Sequence, residues 1–391
     1  GQIGEETNLL LGYLVTISRK LSSPLAVLVV SRSGSGKTTL QDTIISFTPP
    51  EDYEKYTRLT DQALFYKTED ALKHNLLAIE EEKGASGCAY SLRNLQSSHA
   101  LSIAATVKDP MTGKLKTDVY KVSGPTAIMI TTTFSEDSDF ETYNRFIILT
   151  IDESISQTKR ILERQRLNET IEGIVDKRRR EKIKRRHHNA QRLLKMLEIA
   201  NPYSNQLTFI DTILRARREQ PKYLAIIKTI ALLRQYQKEI KTIETDGHLI
   251  EYIEVDLKDI EMANRIADEI LGRNLDELSP PSKNLLIEIK KMVAAMTIEQ
   301  KKESGDVIFT RRDVREFTRW SDYQIKVHIK QLEELEYMYS VHGGPGKRYA
   351  YQLLWEGKGI DGEKFLMGLI DIQNIKTGRP EITTGRVEVG V

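Results

Sequence analysis

The order of hydrophobic and polar positions changes character near residue 153. Before that point, short apolar runs alternate with polar stretches of helical character, and the runs at residues 25–30, 76–79, 101–107, 127–130 and 146–151 each predict a strand. Short buried strands separated by helices are typical of an α/β layer architecture. Residues 1–153 are therefore predicted to form an α/β domain.

After Glu153 the pattern shows long charged helical stretches and no convincing strands. Helices are predicted within residues 160–198, 207–219, 222–241 and 257–271, so that residues 154–278 form a helical domain. Within it, the basic run 177–186 indicates either a nucleic-acid contact or, more simply, a solvated helix face.

The adjacent prolines Pro280 and Pro281 mark the next boundary, because proline has no amide hydrogen for a continuing helix. Beyond them, residues 279–356 predict three helices and two strands around a glycine-rich turn, which are the proportions of a winged helix. The apolar side of its third helix is assigned to Ile325, Val327, Ile329, Leu332 and Leu335. Residues 357–391 show weak periodicity and are predicted to be a tail.

The segment that follows the first strand carries a phosphate-binding pattern. Residues 31–38 read Ser-Arg-Ser-Gly-Ser-Gly-Lys-Thr, which is the P-loop pattern with serine in place of its first glycine. Its backbone amides and the following helix start would face phosphate oxygens, and Lys37 would reach the β- and γ-phosphates. Candidate nucleotide-binding residues are Ser33, Gly34, Ser35, Gly36, Lys37, Thr38 and Thr39, with the Thr38 hydroxyl on Mg²⁺.

A second strand ends in consecutive acids. The run 76–79 leads into Glu80, Glu81 and Glu82, which is the form of a Walker B element with glutamate in place of aspartate. One acid would hold Mg²⁺ and the next would orient the attacking water. Both the pair Glu80 with Glu81 and the pair Glu81 with Glu82 fit, and a solvated acidic strand end is the alternative.

Residues 101–122 predict a β-hairpin with lysines at its tip. Lys108, Lys114 and Lys116 surround the turn at residues 109–113, an arrangement suited to gripping a phosphate backbone, although a solvated tip would look the same. The following strand ends in Thr131, Thr132 and Thr133, and Asn144-Arg145-Phe146 introduces the last strand of the domain.

This order of elements resembles the AAA+ ATPases of the pre-sensor-1 hairpin group, and most of all the minichromosome maintenance (MCM)-like helicases of bacterial mobile elements and phages, which often accompany a primase. The resemblance covers roughly residues 7–356. It implies that Thr132 or Thr133 is the sensor-1 position, that Arg145 is an arginine finger offered to a neighbouring subunit, and that Arg217 or Arg218 is the sensor-2 arginine of a helical lid. By itself, Arg145 would fit a surface ion pair equally well, and Arg217 and Arg218 a solvated helix face.

Composition limits the remaining possibilities. A net charge of +2 places any nucleic-acid surface in local patches, such as the hairpin lysines or Lys347 and Arg348 near the glycine-rich turn. One cysteine excludes a disulfide framework and favours a cytoplasmic location, and no apolar stretch is long enough to span a bilayer.

The sequence and the resemblance therefore predict an ATP- and Mg²⁺-dependent helicase or translocase that acts as a homo-hexameric ring on single-stranded or forked DNA, with a primase module or partner. A transcription activator and a non-motor helicase loader with a DNA-binding winged helix are the alternatives.

Overall fold

The computed structural model describes residues 2–60, 63–80, 86–108, 115–133, 145–209, 216–271, 278, 280–300, 306–344, 347–355 and 369–375. The chain divides into two compact units, each described separately below. The first contains residues 1–208, 220–266 and 370–391, and the second contains residues 209–219 and 267–369.

A five-stranded parallel sheet is the centre of the first unit. Its strands are β1 (Ala26–Val30), β2 (Tyr53–Tyr56), β3 (Asn75–Glu80), β6 (Thr126–Thr132) and β7 (Ile147–Thr150), in the order β2-β3-β6-β1-β7. Every residue of β1 is buried, as are all but the last of β6, which explains their unbroken apolar runs. The predicted α/β fold is confirmed, and its sheet is parallel. The edge strand β2 was missed because its sequence, Tyr-Glu-Lys-Tyr, is half exposed and mostly polar.

Three helices accompany the sheet: α1 (Glu6–Ser18), α2 (Lys37–Ile45) and α3 (Ser86–Ser98). A two-stranded hairpin, β4 (Ala100–Lys108) with β5 (Leu115–Ser123), lies outside the sheet, and its register runs from Ala100 opposite Ser123 to Lys108 opposite Leu115. Nine residues at about 3.3 Å each give the hairpin a length of about 30 Å. Leu101 and Val122 at its base are buried in the domain core, whereas Val119 and Leu115 farther out are exposed.

The prediction that residues 154–278 contain helices and no strands is wrong. The helices α4 (Ile155–Asn168), α5 (Ile171–Leu193), α6 (Ala216–Leu233) and α7 (Leu257–Ile270) are joined by a three-stranded sheet of β8 (Glu198–Ala200), β10 (His248–Glu254) and β9 (Lys241–Thr245). The hairpin β9–β10 turns at Asp246 and Gly247, both with positive φ (52° and 76°). An Asp-Gly pair is a strong signal for a two-residue hairpin turn, but the strands on either side are mostly exposed and carry charged residues, so they lack a clear strand pattern.

Two helix bounds also differ from the prediction. The stretch predicted as one helix over 222–241 is α6 up to Leu233, a short 3₁₀ turn and then β9. Residues 207–209 are not helical, and residues 210–215 lie outside the described part of the chain.

The end of α5 is anchored by a buried polar network. Arg19, 1% exposed, forms an ion pair with Asp52 at 2.5 Å and donates to the Gln191 side chain at 2.9 Å. His187 hydrogen-bonds the Tyr13 hydroxyl at 3.0 Å, and His188 the Ser46 carbonyl at 2.9 Å. Both histidines, which directly follow the basic run 177–186, thus make structural hydrogen bonds.

The second unit contains α8 (Pro280–Gln300), β11 (Ile308–Thr310), α9 (Arg311–Thr318), α10 (Asp322–Glu334), β12 (Met338–Gly344) and β13 (Lys347–Leu353), with the sheet order β11-β13-β12. Its core includes Leu285, Phe309, Ile325, Ile329 and Leu332, each 0% exposed. The assignment of Val327 to the apolar side of α10 is wrong, because this residue is 45% exposed. At 3.6 residues per turn it lies on the face opposite Ile325, Ile329 and Leu332.

In the part of the chain that the structure describes, no helix has the length and apolar character needed to cross a lipid bilayer.

Candidate nucleotide-binding site

The site lies at the carboxyl edge of the parallel sheet, where ligands of open α/β sheets generally bind. Strand β6 separates β1, which leads into the P-loop, from β3, which ends at Glu80. The registers pair Val30 with Thr132 and Glu80 with Thr131. The phosphate loop, the polar end of β6 and the first acid therefore follow one another along the same edge.

Two glycines shape the loop. Gly34 and Gly36 have φ values of 79° and 102°, a region that side chains with a Cβ rarely adopt. Gly36 precedes α2 directly, so that the first amides of this nine-residue helix open at the end of the loop. A Cβ built on either glycine would meet nothing within 4 Å, which shows open space above the loop.

Ser31, which stands in place of the first glycine of the pattern, has a partner that local sequence patterns do not predict. Its hydroxyl donates to the Glu153 carboxylate at 2.5 Å, and the Arg32 amide donates to the same oxygen at 2.9 Å. These two hydrogen bonds, the one from Ser31 above all, hold the pKa of Glu153 below its usual range. Glu153 thus fixes the first turn of the loop from just beyond the end of β7.

The loop residues fit a bound polyphosphate. Lys37 donates from Nζ to the carbonyls of Ser31 and Arg32, at 2.9 and 2.6 Å, so that its charge lies over the loop. Burial lowers the pKa of Lys37, and the Glu153 carboxylate opposes this effect. The buried Oγ of Ser35 has no hydrogen-bond partner, while Thr38 and Thr39 are exposed in the first turn of α2.

Glu80, at the end of β3, is half-buried and forms an ion pair with Lys55 of β2. Lys55 also contacts Asp42 of α2 at 2.6 Å. Burial opposes the charge of Lys55, but the hydrogen bonds that it donates to Asp42 and Glu80 outweigh this effect, and the pKa of Lys55 is raised. Glu80 and Thr38 are the predicted magnesium ligands within the described residues, whereas Glu81 and Glu82 lie outside them.

The polar end of β6 is tied to both neighbouring elements. The Ser31 amide donates to the Thr132 carbonyl at 3.4 Å, which joins β6 to the start of the loop. Thr132 and Thr133 are both partly exposed there. Gln41 of α2 is fully buried and donates to the carbonyls of Ile79 and Met129, at 3.3 and 3.1 Å. The helix after the loop is thereby held against the ends of β3 and β6.

Each arginine predicted by resemblance has a defined place on its own element. Arg145, just before β7, donates to the Ser97 hydroxyl and to the Arg93 carbonyl, both on α3. Arg217 and Arg218 are exposed in the first turn of α6, within the segment that belongs to the second unit. The structure thus joins Arg145 to the helix that precedes the hairpin.

Of the predicted DNA contacts, the structure gives the backbone positions. Lys108 ends β4 and Lys116 is the second residue of β5, which places both at the outer end of the hairpin, and Lys114 lies outside the described residues. Lys347 and Arg348 are the first two residues of β13.

Three comparisons with known proteins bear on this domain. Residues 3–193 match a family model described as "MTBMA_p00010 P-loop domain", and no curated protein matches the chain. Among solved structures, a full-length MCM homolog from Methanopyrus kandleri is similar at 14% identity and a TM-score of 0.41, over 68% of this chain and 55% of that one. The chain therefore spans little more than half the length of that structure, and the likeness is too weak to carry an argument. The motif, the geometry of the loop and the family match agree that residues 3–193 contain a P-loop domain, a kind of domain that binds a nucleotide, usually with Mg²⁺.

Proposed function

We propose that this chain is an ATP-dependent DNA translocase or helicase that works as a ring, a homo-hexamer, on single-stranded or forked DNA in the replication of a mobile element. The observation that carries the proposal is a P-loop domain with a projecting hairpin inserted between the acid-bearing strand β3 and the central strand β6. The MCM-like relationship suggested by the order of elements belongs to the same proposal.

Within the nucleotide site, the loop amides, Lys37 and the N-terminus of α2 bind the phosphates of ATP and stabilise the charge that develops in phosphoryl transfer. Thr38 and Glu80 hold Mg²⁺, which neutralises phosphate charge when it is bound. Glu81, or Glu82 in the alternative assignment, orients the attacking water, and Thr132 or Thr133 contacts it or the terminal phosphate.

The hairpin can transmit changes at this site to a distant ligand. Strand β5 ends at Ser123, and β6 begins three residues later and runs to Thr132 beside the loop. A shift at the nucleotide edge is thereby passed along one extended segment to the hairpin base. Lys108, Lys114 and Lys116 at its outer end would hold the DNA backbone in the centre of the ring.

Arg145 serves in this proposal as the finger for the neighbouring subunit. The side chain of Arg145 is hydrogen-bonded to Ser97 and Arg93 of α3, and this helix leads directly into β4. A nucleotide contact by Arg145 in trans would therefore also move the hairpin. Arg217 or Arg218 acts as sensor 2 from a helical lid, and the second unit is a winged helix in which Lys347 and Arg348 approach DNA. A primase module or partner completes the proposed system.

The ring is tested by mixing inactive variants. Lys37→Ala and Arg145→Ala should each abolish ATP hydrolysis, whereas Lys73→Ala and Arg160→Ala, which remove exposed charges elsewhere, should not. If Arg145 acts in trans, mixing the two inactive proteins restores activity, because some interfaces combine an intact P-loop with an intact Arg145. No recovery in mixed, reassembled rings would refute a finger in trans.

The hairpin is tested with single-stranded DNA. Lys108→Ala/Lys116→Ala should lose both the stimulation of ATP hydrolysis by DNA and the unwinding of a fork. The matched control is Lys121→Ala, which removes a lysine of β5 that lies opposite Ser102 near the hairpin base. This variant should retain both the stimulation by DNA and the unwinding. Hydrolysis of ATP by the intact chain without any strand displacement, even at low salt, would defeat the helicase proposal and leave the ATPase.

A further inference from the structure

Two exposed surfaces of the first unit carry apolar side chains beside charges of opposite sign. The first lies on α5 and consists of residues with the spacing i, i+4, i+7, i+11 and i+15, which share one helix face: Ile171, Val175, Arg178, Lys182 and Arg186. All five side chains are exposed, Ile171 by 81% and Val175 by 52%. We call this surface the α5 stripe.

The opposite face of α5 contacts the rest of the unit. Asp176 accepts a hydrogen bond from Arg164 of α4 at 2.8 Å. Farther along the same face, His187 bonds to the Tyr13 hydroxyl of α1, and Gln191 is completely buried. At 100° per residue these positions lie roughly opposite the stripe. The α5 stripe therefore points away from the body of its own unit.

The cations of the stripe are not neutralised. Residues 155–193 contain thirteen lysines and arginines but five acids, and within the described residues the three cations of the stripe form no ion pair. Of the acids beside it, Glu181 is bonded to Lys184 at 2.9 Å, and Glu172 lies in the first turn, more than a turn before the first of these cations. Like charges at i, i+4 destabilise a helix, and exposed apolar side chains next to them indicate a binding surface.

The second surface is the outer end of the β9–β10 hairpin. Residues 242–251 are all exposed. Leu249, 69% exposed, lies directly opposite Glu244 in the antiparallel register, so both side chains are on one face of the hairpin. Asp246 follows in the turn. We call Glu244, Asp246 and Leu249 the hairpin tip.

The hairpin tip is acidic. Residues 239–251 contain four acids and one lysine, Lys241, which is already engaged in an ion pair at the hairpin base. Neither Glu244 nor Asp246 forms an ion pair in the part of the chain that the structure describes. Besides His74, the groove beside Leu249 contains two lysines and two glutamates, whose formal charges balance: Lys20, Lys228, Glu198 and Glu251. Glu244 and Asp246 therefore set the sign of the tip.

We propose that the α5 stripe of one copy of this chain binds the hairpin tip of the next copy. Leu249 packs between Ile171 and Val175, and the cations of the stripe face Glu244 and Asp246. Because the two surfaces differ and every copy has both, the contact is head-to-tail and can close into a ring. The inference rests on the ring of the proposed function and names the surfaces that join its subunits. The apolar start of the stripe favours a protein surface over a nucleic acid, and the tip offers both an apolar side chain and the opposite charge.

The experiment measures assembly of the intact chain by sedimentation velocity at several salt concentrations, with and without Mg²⁺ and a non-hydrolysable ATP analogue. Arg178→Glu/Lys182→Glu makes the stripe acidic, and Glu244→Lys/Asp246→Asn makes the tip basic while it keeps an Asn-Gly turn. Each variant should weaken association by about tenfold or more, because like charges then meet. Leu249→Ser should also weaken association, but without changing its dependence on salt.

The matched controls alter exposed charges elsewhere on the same unit. They are Arg58→Glu/Lys73→Glu for the stripe and Glu69→Lys/Asp70→Asn for the tip, and both should assemble as the unmodified chain does. Circular dichroism shows whether each variant is folded, and the exposed positions should leave it so.

A charge swap tests whether the two surfaces meet each other. The stripe variant and the tip variant should assemble when they are mixed, because the acidic stripe of one then meets the basic tip of the other. A chain with both sets of substitutions should assemble with itself but not with the unmodified chain. A merely structural effect of either set would not be reversed in this way.

The proposal is overturned if both single-surface variants assemble normally, or if folded variants show no recovery in the mixture and in the doubly altered chain. Loss of DNA binding without loss of assembly in the stripe variant would assign the stripe to nucleic acid instead. These results leave the ring and the ATPase untouched. An intact chain that stays monomeric under every condition would refute the ring of the proposed function together with this contact, so the two failures can be told apart.

Discussion

Glu153 offers the sharpest test of how the phosphate loop is built. Its carboxylate accepts hydrogen bonds from the Ser31 hydroxyl and the Arg32 amide, so it orders the first turn of the loop without belonging to it. Glu153→Ala removes the oxygen that accepts both hydrogen bonds. Glu153→Gln keeps one acceptor oxygen in nearly the same shape, removes the charge, and puts an amide nitrogen in place of the oxygen that lies 3.4 Å from Arg32 Nε.

The expected size of the effect follows from these two contacts. A hydrogen bond to a charged group contributes about 1.5–3 kcal/mol. The Glu153 side chain is 35% exposed, so water replaces part of what is lost, and the low end of that range is appropriate for the pair together. A loss of about 1.5 kcal/mol in loop order corresponds to roughly tenfold weaker nucleotide binding. Glu153→Gln should bind as tightly as the unmodified chain or more tightly, since a negative charge near the phosphates disappears.

Titration with a fluorescent ATP analogue in the presence of Mg²⁺ measures these affinities. Glu163→Ala, which removes an exposed acid of α4, is the matched control. The pKa of Glu153 is lowered, so its carboxylate is charged above the ordinary value of 4.5, and its contribution is lost only as pH falls through the lowered pKa. Neutral pH is therefore a suitable condition. The reasoning is refuted if Glu153→Ala binds normally, or if Glu153→Gln loses as much affinity as Glu153→Ala.

Three further predictions concern stability. Arg19→Met should lower the free energy of unfolding in urea by about 3 kcal/mol, because it breaks a buried ion pair. Asp52→Asn should cost less stability when it is added to Arg19→Met than when it is made alone. If the two losses simply add, Arg19 and Asp52 are not energetically coupled. Burial lowers the pKa of His187, so the folded state resists protonation and stability should fall as pH drops below 6.5. Thermal unfolding of His187→Gln should show a smaller drop there, and an identical pH profile would exclude this histidine as the cause. Phe309→Ala should destabilise the second unit by about 3–5 kcal/mol, since the ring is completely buried. Hydrogen exchange measures this loss. A loss below about 1 kcal/mol would mean that neighbouring side chains repack into the cavity.

Four of the five strands of the parallel sheet, all except β2, were predictable because each is a local signal. A strand buried on both faces must be apolar along its buried middle, and the middle residues of β1, β3 and β6 are. The hairpin β9–β10 has an equally local signal in Asp246-Gly247. It was not predicted, because the residues around this pair are charged and resemble the neighbouring helices. Val327 was predicted on the wrong face of α10, because two residues correspond to about 200° around a helix and place it opposite Ile325.

The phosphate loop is specified locally, since the glycines that permit positive φ and the lysine that follows them are adjacent in the chain. The residues that complete the loop depend on which strands become neighbours in the folded domain. Glu153 lies 122 positions from Ser31 and meets it because β7 pairs with β1. Lys55 reaches Glu80 because β2 pairs with β3 in the sheet. Periodicity reports which face of an element is buried, but strand order depends on the packing of the whole domain, and that information is not local to any segment.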